Sequence, residues 1–316
     1  MEYLILIASL GGIVFGADFL VAGAVFLARR FKVSDFVIGA AIVGVGTSMP
    51  ELVVSFMGAI NGNADVAIGN VVGSNIFNVL GILGLTAVFF PVAIEKKNMK
   101  FEIPLCIAVS VLLMILAFNF FNGTAATIGR FDGWILLLSF VGFLWYSFAR
   151  DRKDSNDSTE NITDEISPLW LAIVKVVGGL ALLIVSCDFF VDNAVLIAKR
   201  FGVNDAFISL TLIACGTSLP ELAASVAAAV KKNTDMALGN IVGSNIFNIT
   251  LILGLSSQVM PLTSSGITYI DYIVMIVAAV LVLLIGFVGK INRISGLFMF
   301  ICFVLYNWYL ISNQIV

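Results

Sequence analysis

Apolar residues fill this chain in long blocks separated by short polar seams, and residues 66–94 and 269–289 contain almost nothing that ionises. A helix needs roughly twenty apolar residues to cross the hydrocarbon core of a bilayer. On that measure the pattern predicts ten spanning helices, at about 3–27, 36–60, 66–91, 102–120, 131–149, 168–198, 205–230, 236–261, 269–288 and 294–312. The expected fold class is an all-α membrane protein. One longer polar stretch, residues 150–167 (RDRKDSNDSTENITDEIS), is charged and lacks apolar periodicity, so it reads as a linker. No basic run precedes the first block, which is expected to stay as a helix rather than be removed as a leader.

Composition supports the pattern. Apolar residues make up 60% and charged residues 12% of the chain, and the mean hydropathy is +1.08. Water-soluble domains carry about half apolar and about a quarter charged residues. The net charge of −3 and the lack of a basic run argue against nucleic acid as a partner and leave the lipid bilayer. Cys106, Cys187, Cys215 and Cys302 all lie in apolar blocks, without metal-ligand spacing, and disulfides are not expected. The absence of histidine removes the commonest transition-metal ligand and the usual near-neutral proton relay. Lysine and arginine gather in the loops after the first, third, fifth, seventh and ninth helices, against only Arg130, Lys199 and Arg200 on the other side. The positive-inside rule makes the first side cytoplasmic and places both termini and residues 121–130 outside.

The strongest signal is internal. Asp18, Pro50, Glu51, Asn75, Asn78 and Pro91 recur as Asp188, Pro220, Glu221, Asn245, Asn248 and Pro261, each 170 positions later and without a gap. GTSMPEL at 46–52 matches GTSLPEL at 216–222, and GNVVGSNIFN at 69–78 matches GNIVGSNIFN at 239–248. The chain therefore reads as residues 1–149, a first repeat of five helices, a cytoplasmic linker at 150–167, and a second repeat at 168–316. Five is odd, so the second copy enters the membrane from the opposite face, as inverted repeats of transporters do. Lys199 and Arg200 break the charge rule because they are the counterparts of Arg29 and Arg30.

Glu51 and Glu221 fall in mid-span, where a carboxylate costs several kcal/mol unless it meets a partner or a cavity. No lysine or arginine lies at similar depth, which points to a cation supplied from outside. Thr47, Ser48 and Glu51 can share one helix face at i, i+3 and i, i+4 spacing. Pro50 and Pro220, with Gly44, Gly46 and Gly216, should break helices two and seven and free carbonyl oxygens. Ser74 with Asn78, and Ser244 with Asn248, offer more oxygens on helices three and eight, which are also expected to be broken. An all-oxygen set with two carboxylates suits a hard cation, and Ca²⁺ tolerates its flexible geometry better than Mg²⁺.

These paired GTS-x-PE and GN-x-x-GSN-x-x-N segments resemble the alpha repeats of the calcium/cation antiporter superfamily, and most closely its prokaryotic sodium/calcium exchanger branch. The resemblance covers both repeat cores and the ten-helix layout. It implies that Glu51 and Glu221 coordinate Ca²⁺ with the backbone of Thr47 and Thr217. It also implies flanking Na⁺ sites from Ser48, Ser74, Thr217, Ser218, Ser244 and the carbonyls near Gly44 and Ala214. The implied activity is Na⁺/Ca²⁺ antiport by alternating access, three Na⁺ for one Ca²⁺, with helices one and six sliding. Separately from the resemblance, no cofactor is expected and the working expectation is a monomer. Potassium-dependent and some archaeal relatives place Asp where this chain has Asn78 or Asn248, which argues against a K⁺ requirement. Proton-coupled relatives carry a GN-x-x-E repeat that is absent here.

Three other readings are weaker. A cation channel can use a glutamate ring, but usually builds it by symmetric oligomerisation. An intramembrane hydrolase lacks a nucleophile–base pair. The linker approaches the spacing of a calcium-binding EF-hand loop but has Thr159 where that loop needs glycine. Asp18 and Asp188 are expected to serve structure rather than transport.

Overall fold

The computed structural model describes residues 2–31, 33–118, 126–155, 168–201, 214–264 and 266–314. Its long helices are α1 (Glu2–Phe31), α2 (Asp35–Thr47), α3 (Met49–Ile60), α4 (Ala64–Phe89), α5 (Glu102–Ala117) and α6 (Arg130–Ser155). There follow α7 (Leu169–Arg200), α8 (Leu219–Val230), α9 (Thr234–Val259), α10 (Tyr269–Gly286) and α11 (Arg293–Gln314). Among the described residues eight helices are long and apolar enough to cross a bilayer, or nine if the bent pair α2 and α3 is one span. The expected helix over 205–230 is described only from Ala214, as the short turn Ala214–Gly216 and α8; its first part lies outside the described residues. So do residues 156–167 of the linker and 121–125 of the loop expected outside. Residues 150–155, expected as linker, continue α6 instead.

The helix breaks arise differently from the sequence expectation. Chain direction changes at Ser48 (φ −82°, ψ 10°) and at Ser218 (φ −91°, ψ 8°), and α2 and α3 meet at 48°. Pro50 and Pro220 sit in the first turn of the helix that follows, where proline's missing N–H has no helical partner to lose. Proline thus starts α3 and α8 rather than splitting a continuous span. Helices three and eight, expected to be broken, run on as α4 and α9 through π-helical turns at Phe77–Leu83 and Asn248–Ile252. Neither contains proline, and a wide turn absorbs the irregularity without opening the backbone. Gly39–Gly44 of α2 is π-helical as well.

The chain forms two compact units, Met1–Pro50 with Val141–Gly243, and Glu51–Phe140 with Ser244–Val316, so each draws on both halves of the sequence. In the first unit α1 and α7 run antiparallel at backbone contact. A Cβ at Gly16 would lie 2.7 Å from the Leu183 nitrogen, and one at Gly179 would lie 2.6 Å from the Leu20 nitrogen. Lipid tails are as apolar as leucine, so such packing, not water exclusion, holds membrane helices together. Leu20, Val21 and Ala24 of α1, Leu183 and Cys187 of α7, Ala224 and Ala228 of α8, and Met236 of α9 form its buried cluster.

In the second unit α11 lies on α4, where a Cβ at Gly296 would lie 2.6 Å from the Gly84 carbonyl oxygen. Short antiparallel strands join the helix ends: β1 (Val92–Ala93), β2 (Ala126–Ile128), β3 (Leu262–Ser264) and β4 (Lys290–Ile291). Val92 pairs with Ile291 in β1–β4, and Thr127 with Thr263 in β2–β3. Of the most apolar window, 78% is buried in α4 and 94% in α9, against 11% in α11 and 28% in α1 and α7. The helices carrying the GN-x-x-GSN-x-x-N segments are thus the more buried ones, while Trp134, Trp145 and Trp308 are exposed.

Candidate cation site

In the first unit, the turn between α2 and α3 brings Thr47 and Ser48 to α8. Ser48 Oγ donates to Glu221 Oε1 at 2.7 Å, and Ser48, Ser218, Glu221 and Thr47 are completely buried. A hydroxyl at that distance from a carboxylate makes a short, charge-assisted hydrogen bond. Ser48 caps the end of α2 while Glu51 stands in the first turn of α3, so the two are not in one continuous helix as expected. Thr47 Oγ1 lies 3.2 Å from Asn240 Oδ1 and 3.3 Å from the Gly44 carbonyl. That carbonyl also accepts from the Ser48 nitrogen at 3.1 Å. It is thus not freed as expected, and a second lone pair is what it has to offer a cation. Thr217 Oγ1 is buried with no hydrogen-bond partner among the described residues. Ala214 opens the short turn ahead of it.

The second unit gathers Glu51, Ser74, Asn78, Ser244 and Asn248, all buried. Its α4 and α9 are joined by four asparagines with two-fold character. Asn75 Nδ2 donates to the Asn245 carbonyl and Asn245 Nδ2 to the Asn75 carbonyl, both at 3.2 Å. Asn78 Nδ2 donates to Asn245 Oδ1 at 3.0 Å, and Asn248 Nδ2 to Asn75 Oδ1 at 3.1 Å. This commits the amino ends of Asn78 and Asn248 and fixes which way each amide faces. Their Oδ1 atoms remain buried with no hydrogen-bond partner among the described residues. A buried acceptor left unsatisfied costs about 1–3 kcal/mol; a cation would remove that cost.

Asn75 and Asn245 thus act by orienting Asn78 and Asn248, a role the sequence reading missed although it noted their repetition. It also gave no place to Asn70 and Asn240, the second residue of each duplicated GN segment, which hydrogen-bond the Glu51 and Glu221 carbonyls. Asp18, by contrast, makes an ion pair with Lys231 in the first unit (Oδ1 to Nζ 2.6 Å). None of the four cysteines is joined in a disulfide among the described residues.

Apolar spanning helices with completely buried carboxylates, amides and hydroxyls are the features of a multi-pass membrane protein that handles cations, and similarity to known proteins gives the class, a cation antiporter of the Ca²⁺-exchanging kind. The model of the sodium/calcium exchanger protein family matches residues 1–149 and 171–312, and the chain belongs to that family. It is a transporter, not an enzyme, from a family whose substrates are Na⁺ and Ca²⁺ and which uses no cofactor. The chain is 41% identical over 254 residues to CaxA of Alkalimonas amylolytica, covering 79% of this chain and 78% of that one. It is 32% identical over 295 residues to the sodium/calcium exchanger MaX1 of Methanosarcina acetivorans, covering 83% and 84%. Among solved structures it resembles the sodium-calcium exchanger NCX_Mj soaked without Na⁺ and Ca²⁺, with a TM-score of 0.84, 30% identity, and coverage of 96% and 97%.

Proposed function

We propose that this chain exchanges Na⁺ for Ca²⁺ electrogenically by alternating access, through ten helices arranged as inverted repeats over 1–149 and 168–316. Glu51 and Glu221 supply the negative charge for Ca²⁺, with the backbone of Thr47 and Thr217. Ser48, Ser74, Ser218, Ser244, Asn78, Asn248 and the carbonyls of Gly44 and Ala214 furnish the remaining oxygens for Ca²⁺ and the flanking Na⁺. The observation that carries this reading is the duplicated pair of completely buried glutamates, Glu51 and Glu221, each followed by a GN-x-x-GSN-x-x-N helix. The names of MaX1 and NCX_Mj support the choice of ions.

Energetics favour three Na⁺ per Ca²⁺. A tenfold gradient is worth about 1.4 kcal/mol per ion, and a charge crossing 100 mV about 2.3 kcal/mol. Three Na⁺ entering per Ca²⁺ leaving supply about 4.2 kcal/mol plus about 2.3 kcal/mol for the net charge, whereas two supply about 2.8 kcal/mol. The transporter works as a monomer, with the linker in the cytoplasm and both termini outside. Radioactive Ca²⁺ uptake into liposomes loaded with Na⁺, K⁺ or acid in turn tests the proposal. Uptake is expected only with internal Na⁺. Uptake driven by acid alone, by K⁺, or by no counter-ion at all would point to a proton-coupled, potassium-dependent or channel mechanism instead.

A further inference from the structure

Each glutamate is held by the same amide clamp. Asn70 Nδ2 donates to the Glu51 carbonyl at 3.1 Å and lies 2.8 Å from Ser55 Oγ. Asn240 Nδ2 donates to the Glu221 carbonyl at 3.2 Å and lies 2.8 Å from Ser225 Oγ. The first set belongs wholly to one compact unit and the second wholly to the other. The same three residue types thus recur, 170 positions apart, with the same geometry. An amide nitrogen has two hydrogens, and here both are directed across one helical turn, from the glutamate carbonyl to the serine four residues on. This fixes the rotation and height of the turn on which the carboxylate stands. Asn240 goes further: its Oδ1 accepts from Thr47 Oγ1 at 3.2 Å, so one side chain ties the end of α2 to the glutamate turn of α8. Asn240, Ser225 and Ser55 are buried, so water does not compete for these bonds.

We propose that Asn70 and Asn240 are positioning residues that set cation affinity by clamping the backbone turns of Glu51 and Glu221, with Ser55 and Ser225 as the second anchor of each clamp. This rests on those glutamates being the cation ligands. A ligand displaced by a fraction of an ångström still closes the transport cycle but binds less well, so the effect falls on affinity more than on turnover.

The test uses the full-length protein reconstituted in liposomes, with Na⁺-driven Ca²⁺ uptake measured against Ca²⁺ concentration and melting followed in detergent. Asn240→Ala and Asn70→Ala should each raise the KM for Ca²⁺ by about tenfold or more, the usual cost of losing a partner that orients a metal ligand. The maximal rate should change much less. Asn240→Asp, which keeps the shape but replaces the donor with an acceptor facing a carbonyl, should be no better than alanine; simple space-filling would make it nearly wild type. Ser225→Ala and Ser55→Ala remove one anchor each and should give smaller rises in KM, which keeps the test open if the asparagine variants fold poorly. Alanine and serine variants with unchanged KM would overturn the clamp. Glu221→Gln is run beside them: if it transports normally, the ligand assignment has failed, and if it is inactive while the clamp variants keep their KM, only the clamp has.

Discussion

Glu51 and Glu221 are completely buried carboxylates, and the proposed role as ligands of a divalent ion predicts that neither is replaceable by an uncharged isostere. A glutamine keeps the volume and one carbonyl oxygen but removes the charge that balances the ion. Glu51→Gln and Glu221→Gln should therefore each lower Ca²⁺ transport by more than about a hundredfold with little change in melting temperature; liposome flux alongside thermal melting checks both parts. The two asparagines present a complementary case. Asn78 and Asn248 donate to Asn245 and Asn75 and leave acceptor oxygens whose charge cannot change with pH. Exchange should then respond to protons only as competitors and should need no K⁺. Asn248→Asp adds a carboxylate to a buried, acidic setting where like charges disfavour ionisation. That variant should be inhibited at a higher pH than wild type or gain a response to K⁺. Flux measured against pH, with and without K⁺, in both proteins decides the matter; identical profiles would remove Asn248 from the site.

Among the helices, backbone contact between α1 and α7 sets a sharp limit on side-chain size. A Cβ at Gly16 or Gly179 would meet main-chain atoms, which cannot rotate out of the way. Gly16→Leu or Gly179→Leu should destabilise the protein by about 1–3 kcal/mol or more, read as a lower melting temperature, whereas Gly178→Ala, where nothing lies within 4 Å, should be silent. The extent of several helices was legible in the sequence, since α4, α10 and α11 start and stop within a few residues of the expected spans, while the described residues hold eight or nine spanning helices against the ten expected. Apolar block length records bilayer thickness directly. The location of the breaks was less legible. Proline drew attention to residues 50 and 220, but the change in direction falls on Ser48 and Ser218, and nothing in composition distinguishes a π-helical turn from an opened helix. The buried glutamates were legible because a mid-span charge stands out in an apolar block. Asn70 and Asn240 were not, because an asparagine that orients a ligand looks like one that joins two helices.

For the whole chain, the lysine and arginine bias implies that Ser155 and Gly123 lie on opposite faces of the membrane. Single cysteines at these positions, in a variant lacking Cys106, Cys187, Cys215 and Cys302, should react from opposite sides of intact cells with an impermeant thiol reagent. Reaction of both from one side would contradict the inverted arrangement. The division into two compact units also bears on how the protein is made. The chain passes from one unit to the other at Pro50–Glu51, Phe140–Val141 and Gly243–Ser244. A ribosome delivers residues in order, so the first unit lacks part of its material until Gly243 has emerged, and the second waits for the C-terminal segment. Neither half of the sequence therefore holds all the residues of either unit, and a nascent chain stalled near residue 149 is expected to leave helix packing faces uncovered and so to invite membrane quality control.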